Sequence, residues 1–148
     1  MSIKLSVSNI AWQPDELEDH LKLLMELGCD GVEIAPSCIW KEPAHVSNDE
    51  IESLKKLVSK YNLVVPAFHA LLFNRSDLSF FGEESIRKQT VLYLKKLIRL
   101  ACLLSVKALI CGSPASRKVA EKDYGRCYET AIDVFRELGI EAERNDVV

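Results

Sequence analysis

Along this chain, short runs of β-branched and other apolar residues alternate with longer stretches in which apolar residues recur every three or four positions. The short runs begin near Ile3, Gly31, Leu63 and Val106, with a weaker one near Ile140. Each predicts a strand and each stretch between them a helix, because a period of about two marks a pleated strand and one of about 3.6 marks a helix face. The strands are expected at Ile3–Asn9, Gly31–Ala35, Leu63–Phe68 and Val106–Cys111. Pro36 ends the second.

The helices carry their own punctuation. Pro14 suits a first helical turn, and Asp15 and Glu16 suit its positive end. Leu17, Leu21 and Leu24 follow at helical spacing, and Gly28 is the expected stop. Ser47 and Glu50 form a capping box for a second helix whose apolar face is Ile51, Leu54, Val58 and Tyr61, with Asn62 as a left-handed end. The third helix is the longest, about Glu84 to Leu104. Its stripe is Ile86, Thr90, Leu94, Leu97 and Ala101, widened by Val91 and Ile98. The last runs from about Glu121 to Leu138, with Tyr124, Tyr128, Ala131, Phe135 and Leu138 expected inside and Gly139 as terminator. Ile140–Arg144 is then a possible start of a fifth strand.

Strands alternating with helices predict a parallel sheet with right-handed crossovers. The strand starts fall roughly thirty to forty residues apart, near the ~31 per unit of a (β/α)8 barrel of about 250 residues. The chain therefore reads as four βα units, a single half-barrel domain over residues 1–148. No GxGxxG or GxxxxGK[ST] loop follows a strand, so dinucleotide and P-loop readings have no support. Two closures stay open, a doubly wound open sheet or a barrel; in Val32-Glu33-Ile34 the glutamate sits between two β-branched residues and would face a barrel lumen, a pattern that favours the barrel.

Composition narrows the setting. The 48% hydrophobic and 28% charged content is that of an ordinary globular domain. The net charge of −3 comes without a basic run, which argues against nucleic acid as a partner. No apolar stretch approaches the ~18 residues of a membrane span, and Met1-Ser2-Ile3-Lys4 opens no secretory segment, so a cytoplasmic location is the expectation. Cys29, Cys38, Cys102, Cys111 and Cys127 are scattered without a CxxC pair and read as reduced packing thiols.

In a barrel the chemistry gathers at the carboxyl ends of the strands. Those ends here offer Ser8, Asn9 and Trp12, then Glu33, then His69, then Gly112, Ser113 and Arg117. His69 could act as a general base, a substrate partner or a metal ligand, or be a core histidine satisfied by a carbonyl. Glu33, at similar height on the neighbouring strand, could fix its tautomer or form a structural ion pair. In Gly112-Ser113-Pro114-Ala115-Ser116-Arg117, glycine permits close approach, Ser113 supplies a hydroxyl and Arg117 could clamp a phosphate or carboxylate; the alternative is a turn with a solvated arginine. The apolar loop Ala70–Gly82 could be a lid, a partner surface or a plug on the barrel mouth. His20 and His45 read as surface residues.

Four stretches together resemble the xylose-isomerase-like TIM-barrel superfamily of sugar phosphate isomerases and epimerases. They are Leu5-Ser6-Val7-Ser8-Asn9-Ile10-Ala11-Trp12, Gly31-Val32-Glu33-Ile34-Ala35-Pro36, Phe68-His69-Ala70-Leu71-Leu72-Phe73 and Gly112-Ser113-Pro114-Ala115-Ser116-Arg117. The resemblance covers about residues 3 to 138 and implies the N-terminal half of such a barrel. It implies a divalent metal (Mn, Mg, Co or Zn) and proton transfer between adjacent sugar carbons through an enediolate. It implies catalytic roles for His69 and Glu33, and substrate contacts for Asn9, Trp12, Gly112, Ser113 and Arg117. The family's metal ligands come from strands five to eight. In this chain Glu143, in Glu143-Arg144-Asn145, is the one candidate, and a single carboxylate does not make a catalytic metal site.

The expected function is thus sugar or sugar phosphate isomerase/epimerase-like, with the isolated chain inactive for want of a full metal site. A non-catalytic ligand-binding or interaction module is the alternative. An abasic-site endonuclease, from the same superfamily, is a second, and the acidic charge argues against it. Open edges on the first and fourth strands predict a homodimer that closes eight strands about a two-fold axis.

Overall fold

The computed structural model describes residues 3–119 and 123–148. Four short strands run parallel: β1 (Ser6–Ser8), β2 (Gly31–Glu33), β3 (Ala67–Phe68) and β4 (Ala108–Leu109). β1 pairs with β2 in the register Ser6↔Gly31, Val7↔Val32 and Ser8↔Glu33. β3 pairs with β4 as Ala67↔Ala108 and Phe68↔Leu109. Parallel bridges Gly31↔Val64 and Ile34↔Phe68 join the two pairs, giving the order β1-β2-β3-β4. A doubly wound sheet reverses its strand order at a switch point. Strictly sequential order with right-handed crossovers instead places every helix on one side, the arrangement of a barrel wall.

The strands are shorter than the sequence predicts. Between the two bridges β2 advances three residues and β3 four. The extra residue is a bulge at the Val65-Pro66 step, where proline has no N–H for the ladder. At Gly31 the approach of β3 is close: a Cβ there would lie 2.7 Å from the Val64 carbonyl oxygen.

The helices are α1 (Leu17–Glu26), α2 (Asn48–Lys60), α3 (Glu84–Leu103) and α4 (Tyr124–Arg144). A short 3-10 turn, Pro14–Glu16, leads into α1. Gly28 and Asn62 take the left-handed conformation expected after α1 and α2, with φ of 75° and 55°. The Ser47–Glu50 capping box is present. Leu21, Val32, Ile34, Phe68, Leu97 and Val106 are essentially buried and form the layer between sheet and helices. All five cysteines are free.

The last helix departs from expectation. Glu121, its expected first residue, lies outside the described residues. Gly139 does not end it; a Cβ at that position would meet nothing within 4 Å, so the glycine lies open on the helix surface. The helix continues to Arg144 and takes in Ile140–Arg144, the segment proposed as a fifth strand. Strand-like pairing begins later, at Val148, whose N–H donates to the Lys107 carbonyl (2.9 Å) and whose carbonyl accepts from Leu109 N–H (2.7 Å). The buried face also differs. Leu138 is buried as expected, but it is joined by Cys127, Val134 and Glu141, whereas Tyr124, Tyr128 and Phe135 are 68%, 58% and 44% exposed. Arg99 on α3 reaches Glu141 at 2.7 Å, so a carboxylate occupies the helix interface with its charge compensated.

Candidate active-site rim

At the carboxyl ends of the strands a small set of polar side chains shares one face of the sheet. Ser8 and Glu33 stand at one level in the β1–β2 register. His69 follows Phe68 at the end of β3, and its backbone N–H donates to the Ile34 carbonyl at 2.9 Å. Alternation along the strands puts Val32, Ile34 and Phe68 toward the helices and Glu33 and His69 on the opposite face.

Glu33 and His69 do come together, without a direct hydrogen bond. The Ser6 hydroxyl donates to Glu33 Oε1 at 3.0 Å, and Ser8 Oγ lies 2.5 Å from His69 Nε2. Ser8 therefore reaches across β2 from β1 to β3. Burial pushes the His69 imidazole below its ordinary pKa, and the negative charge of Glu33 opposes that shift. Asn9 is buried and its Oδ1 accepts the Ala35 N–H at 2.7 Å, which ties the end of β1 to the end of β2. Trp12 is stacked on His20 of α1 at 4.6 Å between ring centroids. His20 is thus half-buried rather than a plain surface residue, while His45 is exposed.

Beyond His69 opens a cleft of about 880 Å³, within the size range of small-molecule sites. His69, Asn74, Arg75, Ser76, Gly112 and Ser113 supply its polar and backbone lining. The loop after β3 makes one wall. It is packed down onto the protein: Leu71, Leu72, Leu78 and Phe80 are buried, Phe80 N–H donates to the Ser116 carbonyl at 3.0 Å, and Ser79 N–H donates to Thr90 Oγ1 at 3.0 Å. The arginine at this cleft is Arg75, which the sequence reading did not single out. It pairs with both oxygens of Asp77 (2.8 and 2.7 Å), and its guanidinium sits 4.4 Å from the Tyr93 ring centroid. Arg117 lies on the 3-10 turn Ala115–Arg117, exposed and outside the cleft lining. A second cavity, between α3, α4 and β4, is lined almost wholly by apolar groups such as Leu94, Ile98 and Phe135 and has no charged side chain to orient a substrate.

Glu143 sits exposed on the last turn of α4. Among the described residues no three His, Cys, Asp or Glu side chains gather as a metal site would require. At the rim, His69 Nε2 and one Glu33 oxygen are already engaged by serines. The donor set of the described residues therefore does not fit a complete divalent-metal centre.

This architecture has counterparts among known proteins. The apo form of a 3-keto-D-glucoside 4-epimerase from E. coli superposes with a TM-score of 0.71 at 17% identity, covering 99% of this chain and 54% of that one. A D-psicose 3-epimerase with D-tagatose from Clostridium cellulolyticum gives 0.73 at 17% identity, covering 98% and 50%. A xylose isomerase-like TIM barrel protein from Mycobacterium smegmatis in complex with magnesium gives 0.63 at 15% identity, covering 97% and 53%. The chain thus spans about half the length of each, and at these identities the likeness is one of fold. No curated protein matches the chain by sequence. A family profile aligns with residues 21–148, from within α1 through β2, β3, β4 and their helices to Val148, and so the chain belongs to the xylose isomerase-like TIM barrel family.

Proposed function

We propose that this chain forms the β1–β4 half of a sugar-binding site of the isomerase/epimerase type, with the cleft beside His69 as the sugar subsite. The observation that carries this reading is the position of the cleft: it opens at the carboxyl ends of β3 and β4, where a barrel of this family places its substrate. Fold neighbours described with D-tagatose and D-fructose support a sugar as the ligand class. His69 and the Gly112-Ser113 turn would engage hydroxyl or carbonyl oxygens. Arg75, already paired with Asp77, stiffens the wall, and Arg117 stands outside the lining where it would meet only a longer, phosphorylated substrate. Glu33 is the carboxylate of the acid/base pair with His69.

Proton transfer through an enediolate is the reaction this reading assigns to the family fold. The described residues lack a fitting metal donor set, so binding is the role proposed for the chain by itself, in the cytoplasm. The test is a ¹H–¹⁵N titration with D-tagatose and with D-fructose. The expected result is saturable shifts at the His69, Ala70, Gly112 and Ser113 amides. His69→Ala should weaken them by about 1 kcal/mol, roughly five-fold in affinity. No saturable shift with either sugar overturns the reading. Calorimetry with Mn²⁺ separates the two roles: tight stoichiometric uptake would extend the isomerase chemistry to this chain, and silence would leave the binding module. The acidic balance gives the abasic-site endonuclease reading no support. We further infer a homodimer, from apolar side chains exposed at both ends of the arc.

A further inference from the structure

Ser8 and His69 belong to strands that are not neighbours, yet Ser8 Oγ and His69 Nε2 are 2.5 Å apart. The same serine oxygen accepts the backbone N–H of Ile10 at 3.1 Å. A serine hydroxyl has one proton and two acceptor lone pairs. With one lone pair occupied by Ile10, the proton still needs an acceptor, and among the described residues His69 Nε2 is the one within reach. If Nε2 carried a proton instead, the serine would have to accept twice and turn its own hydroxyl proton out to solvent, away from the ring. A hydroxyl that donates to Nε2 requires a lone pair there, and a neutral imidazole then carries its single proton on Nδ1. No hydrogen bond to Nδ1 is made by the described residues, and His69 lines the cleft. Burial of the ring works in the same direction, since desolvation disfavours the imidazolium.

We propose that Ser8 is a positioning residue: it holds His69 as the neutral Nδ1–H tautomer, so that the ring meets an oxygen of a cleft ligand as a hydrogen-bond donor rather than as a base. The identity of that oxygen, a sugar carbonyl or hydroxyl, rests on the function proposed above; the tautomer does not. A fixed donor aimed at an oxygen that gains negative charge stabilises that charge. Abstraction of the carbon-bound proton would then fall to a carboxylate, which divides the roles of His69 and Glu33 instead of making them interchangeable.

The test is a long-range ¹H–¹⁵N spectrum of the full chain with ¹⁵N-labelled histidine, ligand-free, at a pH above the His69 midpoint. The expected pattern is a protonated Nδ1 and an unprotonated Nε2. In Ser8→Ala the majority form should invert to the Nε2–H tautomer that free imidazole side chains favour in water. Ser8→Thr, which keeps the hydroxyl, should restore the native pattern. A proton on Nε2 in the native protein, or a Ser8→Ala spectrum unchanged from it, overturns the proposal. Should loss of the Ile10 cap unfold Ser8→Ala, Ser8→Cys replaces it: the thiol is a weak donor of similar shape, and its spectrum must shift toward Nε2–H. No sugar enters this measurement, so failure of the sugar titration would sink the binding reading and leave the tautomer standing.

Discussion

At the scale of single residues, the rim is a problem in proton placement. His69 is pulled two ways: burial favours the neutral ring, and the Glu33 charge favours the cation. Replacing Glu33 by glutamine removes only the second influence, so the His69 midpoint should fall further below its native value, measured by NMR titration of both proteins. An unchanged midpoint would show that the two side chains do not communicate. The sign for stability follows. The folded state binds this proton less readily than an unfolded chain with a pKa near ~6.5, so the His69 contribution is lost as pH falls below about that value. The convergence of Glu33 and His69 was legible in the sequence, because alternation puts Glu33 on the lumen face and His69 stands at the carboxyl end of the neighbouring strand. The Ser8 bridge was not, since it depends on how high one strand end stands over another. Nor was the exchange of Arg117 for Arg75 at the cleft, because the path of the buried loop after β3 is set by where Leu72, Leu78 and Phe80 find room.

At the scale of elements, local signals were reliable where local physics decides. The Ser47–Glu50 box and the left-handed Gly28 and Asn62 concern a few neighbouring atoms, and all appear as expected. β3 is shorter than the Leu63–Phe68 run predicts because the Pro66 bulge, seen only when β3 is laid beside β2, interrupts the ladder. That pairing also makes Gly31 critical. Gly31→Ala should force β2 and β3 apart, since the new methyl meets a backbone carbonyl that cannot rotate away. We expect a loss of about 1–3 kcal/mol in a denaturant melt, the usual cost of overpacking. An equally stable variant would mean that the strands are not held at this separation. The inside of α4 was misread for a different reason. Aromatic residues at helical spacing predict a core face, but Tyr124 and Tyr128 lie largely exposed and Phe135 is only partly covered, stacked on Phe80 at 5.6 Å between ring centroids.

At the scale of the whole molecule, the same fact becomes an argument about assembly. Exposed apolar side chains collect at both ends of the arc: Ile3 and Leu5 before β1 and Val7 within it, and Tyr124 and Tyr128 on α4. Scattered apolar residues on a surface mean little, but two apolar ends on a sequentially ordered parallel sheet suit closure by a second set of strands. In the homodimer inferred here, light scattering at micromolar concentration should give twice the mass of the 16.7 kDa chain. Tyr128→Lys should shift the protein toward monomer by burying a charge at the seam. A monodisperse monomer before any substitution would rule that assembly out. The Val147-Val148 segment lies along β4, so a copy approaching that edge must share the groove with it or displace it.

The two hydrogen bonds of Val148 to Lys107 and Leu109 also bear on how this protein can be handled. A segment that follows residue 148, native or joined by design, leaves the domain already in register with β4. A polar, glycine-rich joint would let such a fusion swing clear into solvent. An alternating β-branched one would zip onto the sheet beside β4.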